Sequence, residues 1–128
     1  MPTVYVVNRG GHDYSEATKY GHIVFLSEGP LNKYAVSQIY RKFAMQLRTS
    51  SPDDFILLTG LTGMACIACS CFAFLHGKLN MLLFKNGRYI DRKLNLSELL
   101  AKGGAPQADQ LAEITDFTLR KLTRKEET

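Results

Sequence analysis

Apolar positions recur along this chain with two periods. Thr3 to Val7, His22 to Leu26 and Phe55 to Leu58 are short β-branched, aromatic or aliphatic runs, each ended by glycine or small polar residues, and they predict three strands, the first buried and the third at the sheet centre, covered on both faces. Ser15 to Tyr20 predicts one or two helical turns between the first two strands, a connection just long enough for a parallel crossover, with antiparallel pairing left open. Gly29-Pro30 predicts the start of an amphipathic helix, because proline at the first helical position forfeits no hydrogen bond. Its apolar stripe is Leu31, Ala35, Ile39, Phe43 and Leu47, widened by Val36 and Tyr40, with Lys33, Ser37, Arg41, Lys42 and Arg48 on other faces. Leu61 to His76 is apolar or small throughout, which predicts a helix buried on every side, with Gly77 as a left-handed C-cap.

Leu79 to Phe84 and Arg88 to Leu94 flank Asn86-Gly87, a two-residue turn whose positive φ angles predict an antiparallel hairpin. Tyr89, Asp91 and Lys93 alternate with Ile90, Arg92 and Leu94, the pattern of a half-exposed edge strand. Ser97 to Lys102 reads as a short helix, Lys102 to Pro106 as a linker, and Gln107 to Lys125 as a helix through Leu111, Ile114, Thr118 and Leu122. The expected fold is a small α/β, Rossmann-like, three-layer domain: a mostly parallel central sheet, a hairpin, and a C-terminal helix. Residues 1–102 form the ligand-binding domain, and 103–128 a linker and helix that pack on the same domain or on another subunit.

At 128 residues the chain has room for one substantial core. Sixteen Lys and Arg against twelve Asp and Glu give a charge of +4, which favours anionic partners but not dedicated nucleic-acid binding. The apolar run Met64 to Leu75 is too short to span a bilayer, so no membrane partner is expected. No basic and apolar leader precedes Thr3, and three thiols is an odd number, so a reduced cytosolic protein is expected. On a helix Cys71 points away from Cys66, and the neighbouring Ala, Ile and Phe offer no ligands. Cys66, Cys69 and Cys71 therefore read as small buried hydrophobes, with no metal and no cofactor. His76, at the end of the helix, is expected to meet its last carbonyls.

The candidate chemistry gathers where the strands stop. In a parallel sheet the carboxyl ends share one edge, so three loops would line one crevice: Asn8 to Ser15, Ser27 to Pro30, and Thr59 to Gly63. Arg9 and the backbones of Gly10, Gly11, Gly60 and Gly63 are the expected phosphate contacts, while His12, Tyr14, Thr59 and Thr62 would orient a sugar or base. Asn8, Ser27 and Glu28 complete the rim, and Arg88 would reach a phosphate if the hairpin folds over the crevice or a neighbouring subunit. His12 with Glu28 or Asp13 is the one candidate catalytic pair, though no spacing demands it. The plain alternative is that Asp13 or Ser15 caps one helix and Thr59 or Thr62 the other.

Two resemblances bear on this reading. The segment Thr59-Gly60-Leu61-Thr62-Gly63-Met64, followed by Leu79 to Phe84 and Asn86-Gly87-Arg88-Tyr89, resembles the Thr-Gly-Gly-Thr-Lys half of CARF domains, which sense cyclic oligoadenylates as dimers. Here Leu61 replaces the second glycine and Gly63 the lysine. The whole chain, with Val-Asn-Arg-Gly-Gly-His-Asp-Tyr-Ser near its start, is similar to small proteins of bacteriophages and bacteria. Together they imply a phage-borne binder of a nucleotide or other phosphorylated immune signal, and the exposed sheet edge and the apolar stripe of the helix after Gly104 predict a homo-oligomer. The alternatives are a phosphodiesterase or nuclease acting on that ligand, and a structural or partner-binding protein.

Overall fold

The computed structural model describes residues 1–30, 32, 34–59 and 61–99. The chain divides into two compact units, Met1–Asn95 and Leu96–Thr128. Of the second, the described part is a 3-10 helix, Leu96–Leu99, where a short helix from Ser97 is expected. The expected linker and C-terminal helix at 103–128 lie outside the described residues, as does Gly60.

The first unit is built on β1 (Thr3–Val6), β2 (His22–Phe25), β3 (Phe55–Leu57), β4 (Lys78–Lys85) and β5 (Arg88–Asn95), in the order β2-β1-β3-β4-β5. The first four strands are parallel and β5 is antiparallel to β4. The open choice for β2 thus resolves to parallel, with Tyr5 opposite both Val24 and Ile56. The central strands are short because each is apolar on both faces and must be covered on both. Tyr5, Val7, Ile56 and Leu79 face one way, onto Phe43 and Leu47 of α1 (Val36–Leu47) and Met64 and Phe72 of α2 (Thr62–His76). Val4, Val6, Phe55 and Leu57 face the other way, onto Tyr14 and Ala17, which belong to the 3-10 helix Ser15–Lys19 and the turn leading into it.

Turn chemistry follows the sequence closely at two places. Asn86 and Gly87 have φ of 52° and 76°, and Gly77 caps α2 at φ 67° with its N–H on the Ala73 carbonyl at 2.8 Å. The start of α1 does not follow it. The helix begins at Val36 rather than Pro30, because Asn32 forms a side-chain turn first: its Oδ1 accepts the Tyr34 N–H at 3.1 Å and its carbonyl the Ala35 N–H at 3.0 Å.

A second correction concerns α2. It buries Met64, Ala68 and Phe72, but Phe74 is 90% exposed, and Leu75 and Cys66 are also exposed. A helix apolar on all sides is buried on all sides only where layers lie on both of its flanks, and among the described residues none covers the outer one. The thiols are corrected with it: Cys66 lies on the surface, and Cys69 and Cys71 are half-buried. No cluster of three or more His, Cys, Asp or Glu among the described residues is placed to hold a metal ion. His76 meets Ser50 rather than the last carbonyls, its Nε2 lying 2.7 Å from Ser50 Oγ and its ring against Phe72. No described helix is long and apolar enough to cross a membrane.

Candidate functional site

β1 is followed by β2 on one side of it and by β3 on the other, so the strand order reverses between β1 and β3. The loops leaving these two strands diverge there and leave a crevice at the carboxyl edge, where open α/β sheets hold ligands. A cavity of about 370 Å³ occupies this place, on the face opposite α1 and α2. Its floor is Leu57 and Leu58, and His12, Asp13 and Tyr14 form the wall from the β1 loop. Thr59 comes from the end of β3, and Phe84 and Tyr89 from the hairpin close the far side. Phe84 and Tyr89 reach it together because they are paired across the hairpin, and their rings lie 5.3 Å apart.

The wall is held rigidly by local stitching. Thr59 Oγ1 accepts the Asn8 N–H at 3.1 Å and donates to the Asn8 carbonyl at 2.9 Å, which fastens the β1 loop to β3. The Tyr14 hydroxyl accepts the Gly10 N–H at 3.0 Å and donates back to the Asn8 carbonyl, so the glycine loop folds around one phenol. Ser27, fully buried, places its Oγ 2.7 Å from the Val7 carbonyl and 2.9 Å from Asn8 Oδ1. Neither Gly10 nor Gly11 has positive φ, and a Cβ on Gly11 would meet nothing within 4 Å. The fold itself therefore does not require glycine there, and the loop surface is open to close approach.

The electrostatics of the crevice are divided. The Ser15 N–H donates to Asp13 Oδ1 at 2.9 Å and holds that carboxyl below its usual range, so Asp13 is a fixed negative charge. Burial, then the neighbouring Tyr14 and Asp13, push the Tyr89 phenol above its usual value. It stays neutral at pH 7, and its hydroxyl makes no hydrogen bond among the described residues. His12 is exposed, its ring 6.4 Å from that of Tyr14, and it bonds to no described carboxylate. Beyond Tyr14 an aromatic chain continues to Phe25, at 5.6 Å, over which the Arg9 guanidinium lies at 5.0 Å. Arg9 also pairs with Glu28 at 3.7 Å, both side chains being more than half exposed.

Of the expected site residues, the fold brings His12, Tyr14 and Thr59 to the crevice. Asn8, Gly10, Gly11 and Ser27 shape the loop behind it, and Arg9 with Glu28 stands at its β2 side. Thr62 and Gly63 lie exposed in the first turn of α2, away from the cavity. Arg88 pairs with Lys85, one step out of phase with Phe84 and Tyr89, and so projects from the other face of the hairpin. Asp13, read from the sequence only as a possible catalytic partner of His12, also lines the crevice, and sequence reasoning omitted Leu57, Leu58, Phe84 and Tyr89 from the site. The signal for the last two was present: two aromatics equidistant from Asn86-Gly87 are cross-strand neighbours in a two-residue hairpin.

The fold and crevice define an α/β protein with a mostly parallel sheet and a preformed cavity at its carboxyl edge. The chain belongs to the phage Pam3 gp32-like protein family, whose model matches residues 2–96, a span that holds all five described strands, α1 and α2, and every described residue that lines the crevice. No curated protein and no solved structure matches it.

Proposed function

We propose that this phage-family protein binds a nucleotide or another small phosphorylated signal at the carboxyl edge of its sheet. The observation that carries the reading is the crevice at the strand-order reversal, with aromatic side chains on one wall and fixed polar groups on the other. A planar base fits between the Phe84–Tyr89 pair and the apolar floor. The Asp13 carboxylate and the Tyr89 hydroxyl suit sugar hydroxyls or ring N–H groups, and that same carboxylate repels phosphate from the interior. Phosphates therefore sit at the rim, where the Arg9 guanidinium lies over Phe25 and the Gly10-Gly11 backbone is open. The Arg9–Glu28 pair is exposed and weak, so it yields to a phosphate at little cost. The Rossmann-like strand order and the resemblance of the Thr59–Met64 loop to CARF domains support the same ligand class. His12, with no carboxylate among the described residues to orient it, favours holding over turnover, and a phage protein that holds a host immune signal would withdraw it from use.

Thermal shift with mononucleotides, cyclic dinucleotides and ADP-ribose derivatives tests this, since a ligand bound only by the folded state raises apparent stability. The expected result is a shift that Phe84→Ala diminishes, a stacked base contributing about 1–3 kcal/mol. No shift with any phosphorylated compound overturns the proposal. Ligand recovered unchanged after denaturation supports a binder. Conversion to product, abolished by His12→Ala, selects the hydrolase.

A further inference from the structure

The two helices lie on one face of the sheet and run parallel to each other, since each returns the chain between parallel strands. Their outer side carries a second, larger cavity of about 680 Å³, a groove between the α1 ridge Val36, Tyr40, Ala44 and the α2 ridge Cys66, Ser70, Phe74. This groove is apolar where a solvent-facing helix layer is ordinarily charged. Val36 and Tyr40 are each 54% exposed and Phe74 is 90% exposed, so a contiguous apolar patch faces outward.

We propose that this face is the docking surface for a second copy of the same chain, packed about a two-fold axis near Ser70. Three features point to a copy of itself as occupant. The exposed ridge of α2 is Thr62, Cys66, Ser70 and Phe74: three small residues and one large knob. A two-fold axis at Ser70 sets the α2 helices antiparallel and lays Phe74 of each against Cys66 of the other, over the groove end bounded by Val36, Tyr40, Cys66 and Ile67. Knob and hole are then satisfied twice by one contact. The second feature is charge. No residue of α2 is Asp, Glu, Lys or Arg, and among the described residues Arg48 is the one such residue lining the groove, so like ridges meet without repulsion at the axis. The third is size: helices of 12 and 15 residues, about 18 and 22 Å long, side by side offer a footprint of the order that a standard interface takes from each partner, about 800 Å².

Sedimentation equilibrium of the full chain at micromolar concentration tests the proposal, with the register read by cross-linking. The expected results are a dimer, a monomer for Phe74→Asp with unchanged far-ultraviolet circular dichroism, and a covalent dimer on mild oxidation of Phe74→Cys that Cys66→Ser abolishes. Met45→Cys, exposed on α1 but outside the groove, should not cross-link. A monomeric full chain overturns the proposal, as does a dimer that survives Phe74→Asp, which would place the contact on a sheet edge. Flotation of a monomeric chain with phosphatidylglycerol vesicles, lost in Phe74→Asp, also overturns it and assigns the face to lipid.

Discussion

Among the described residues, one face of the sheet carries two full helices and the other a single 3-10 turn. On the helix side, Phe43 and Phe72 are wholly buried and pack in one core with Tyr5, Val7 and Ile56. On the thin side, cover comes from Tyr14, Ala17 and Tyr20 and from edge-on aromatic contacts, Tyr20 with Phe55 at 5.7 Å and Tyr14 with Phe25 at 5.6 Å. Because the 3-10 helix is short, the thin layer stops before the carboxyl edge, and the crevice occupies the place where a second helix would lie. Stability is thus concentrated on one face and accessible chemistry on the other.

The largest expected effect breaks the thick face. Phe43→Ala removes a fully buried ring from α1 and should lower unfolding free energy by about 3–5 kcal/mol, read by urea denaturation. A loss under 1 kcal/mol would mean that the helix layer is not what holds the sheet. Next is Gly21, at the start of β2, where a Cβ would lie 2.2 Å from the Pro2 carbonyl oxygen. That oxygen also accepts the His22 N–H at 2.9 Å, so Gly21→Ala forces the edge strand away from β1 and should cost about 2 kcal/mol.

Tyr14→Phe tests the thin face alone. It leaves the ring in place but removes the acceptor for the Gly10 N–H, for an expected loss of about 1 kcal/mol. Ligand affinity should fall with it, because the crevice wall loses its anchor. Equal loss of stability with unchanged affinity would separate the glycine loop from the site.

Much of this architecture is legible in the chain. Asn86-Gly87, Gly77 and the four-residue recurrence of Ile39, Phe43 and Leu47 announce local structure through local chemistry, and the carboxyl-edge location follows from strand order alone. What was not legible depends on tertiary partners. Thr59 reads as a cap or a ligand contact, yet its hydroxyl is spent on Asn8, fifty-one positions away. Phe74 reads as core because periodicity records hydrophobicity but not how many layers a fold supplies. The α1 start was misplaced for a local reason, since the Asn32 side chain competes with the helix backbone and Gly29-Pro30 hides the competition.

A smaller effect distinguishes the half-buried flank of α2 from its core. Burial, with Cys66 nearby, pushes the Cys69 thiol up to about 11. The folded state therefore keeps a proton that the unfolded chain releases near the ordinary thiol value of about 8.5. This contribution is fully present below that value and is lost as pH rises toward 11. Cys69→Ala should flatten the alkaline decline in melting temperature over that window, and an unchanged slope would assign the decline to the other raised groups, the Cys71 thiol and the phenols of Tyr5 and Tyr89.

The smallest expected change in stability is at Arg9, and it is the sharpest probe of the thin face. Its ion pair with Glu28 and its stacking on Phe25 are both solvent-exposed, so Arg9→Ala should shift stability by less than about 0.5 kcal/mol. If phosphate sits at the rim and the base in the crevice, the same substitution weakens a phosphorylated nucleotide while sparing its nucleoside, whereas Phe84→Ala weakens both. Calorimetric titration of the two ligands against the two variants measures this. Equal loss for nucleotide and nucleoside in Arg9→Ala would remove Arg9 from the phosphate and leave Glu28 as its working partner.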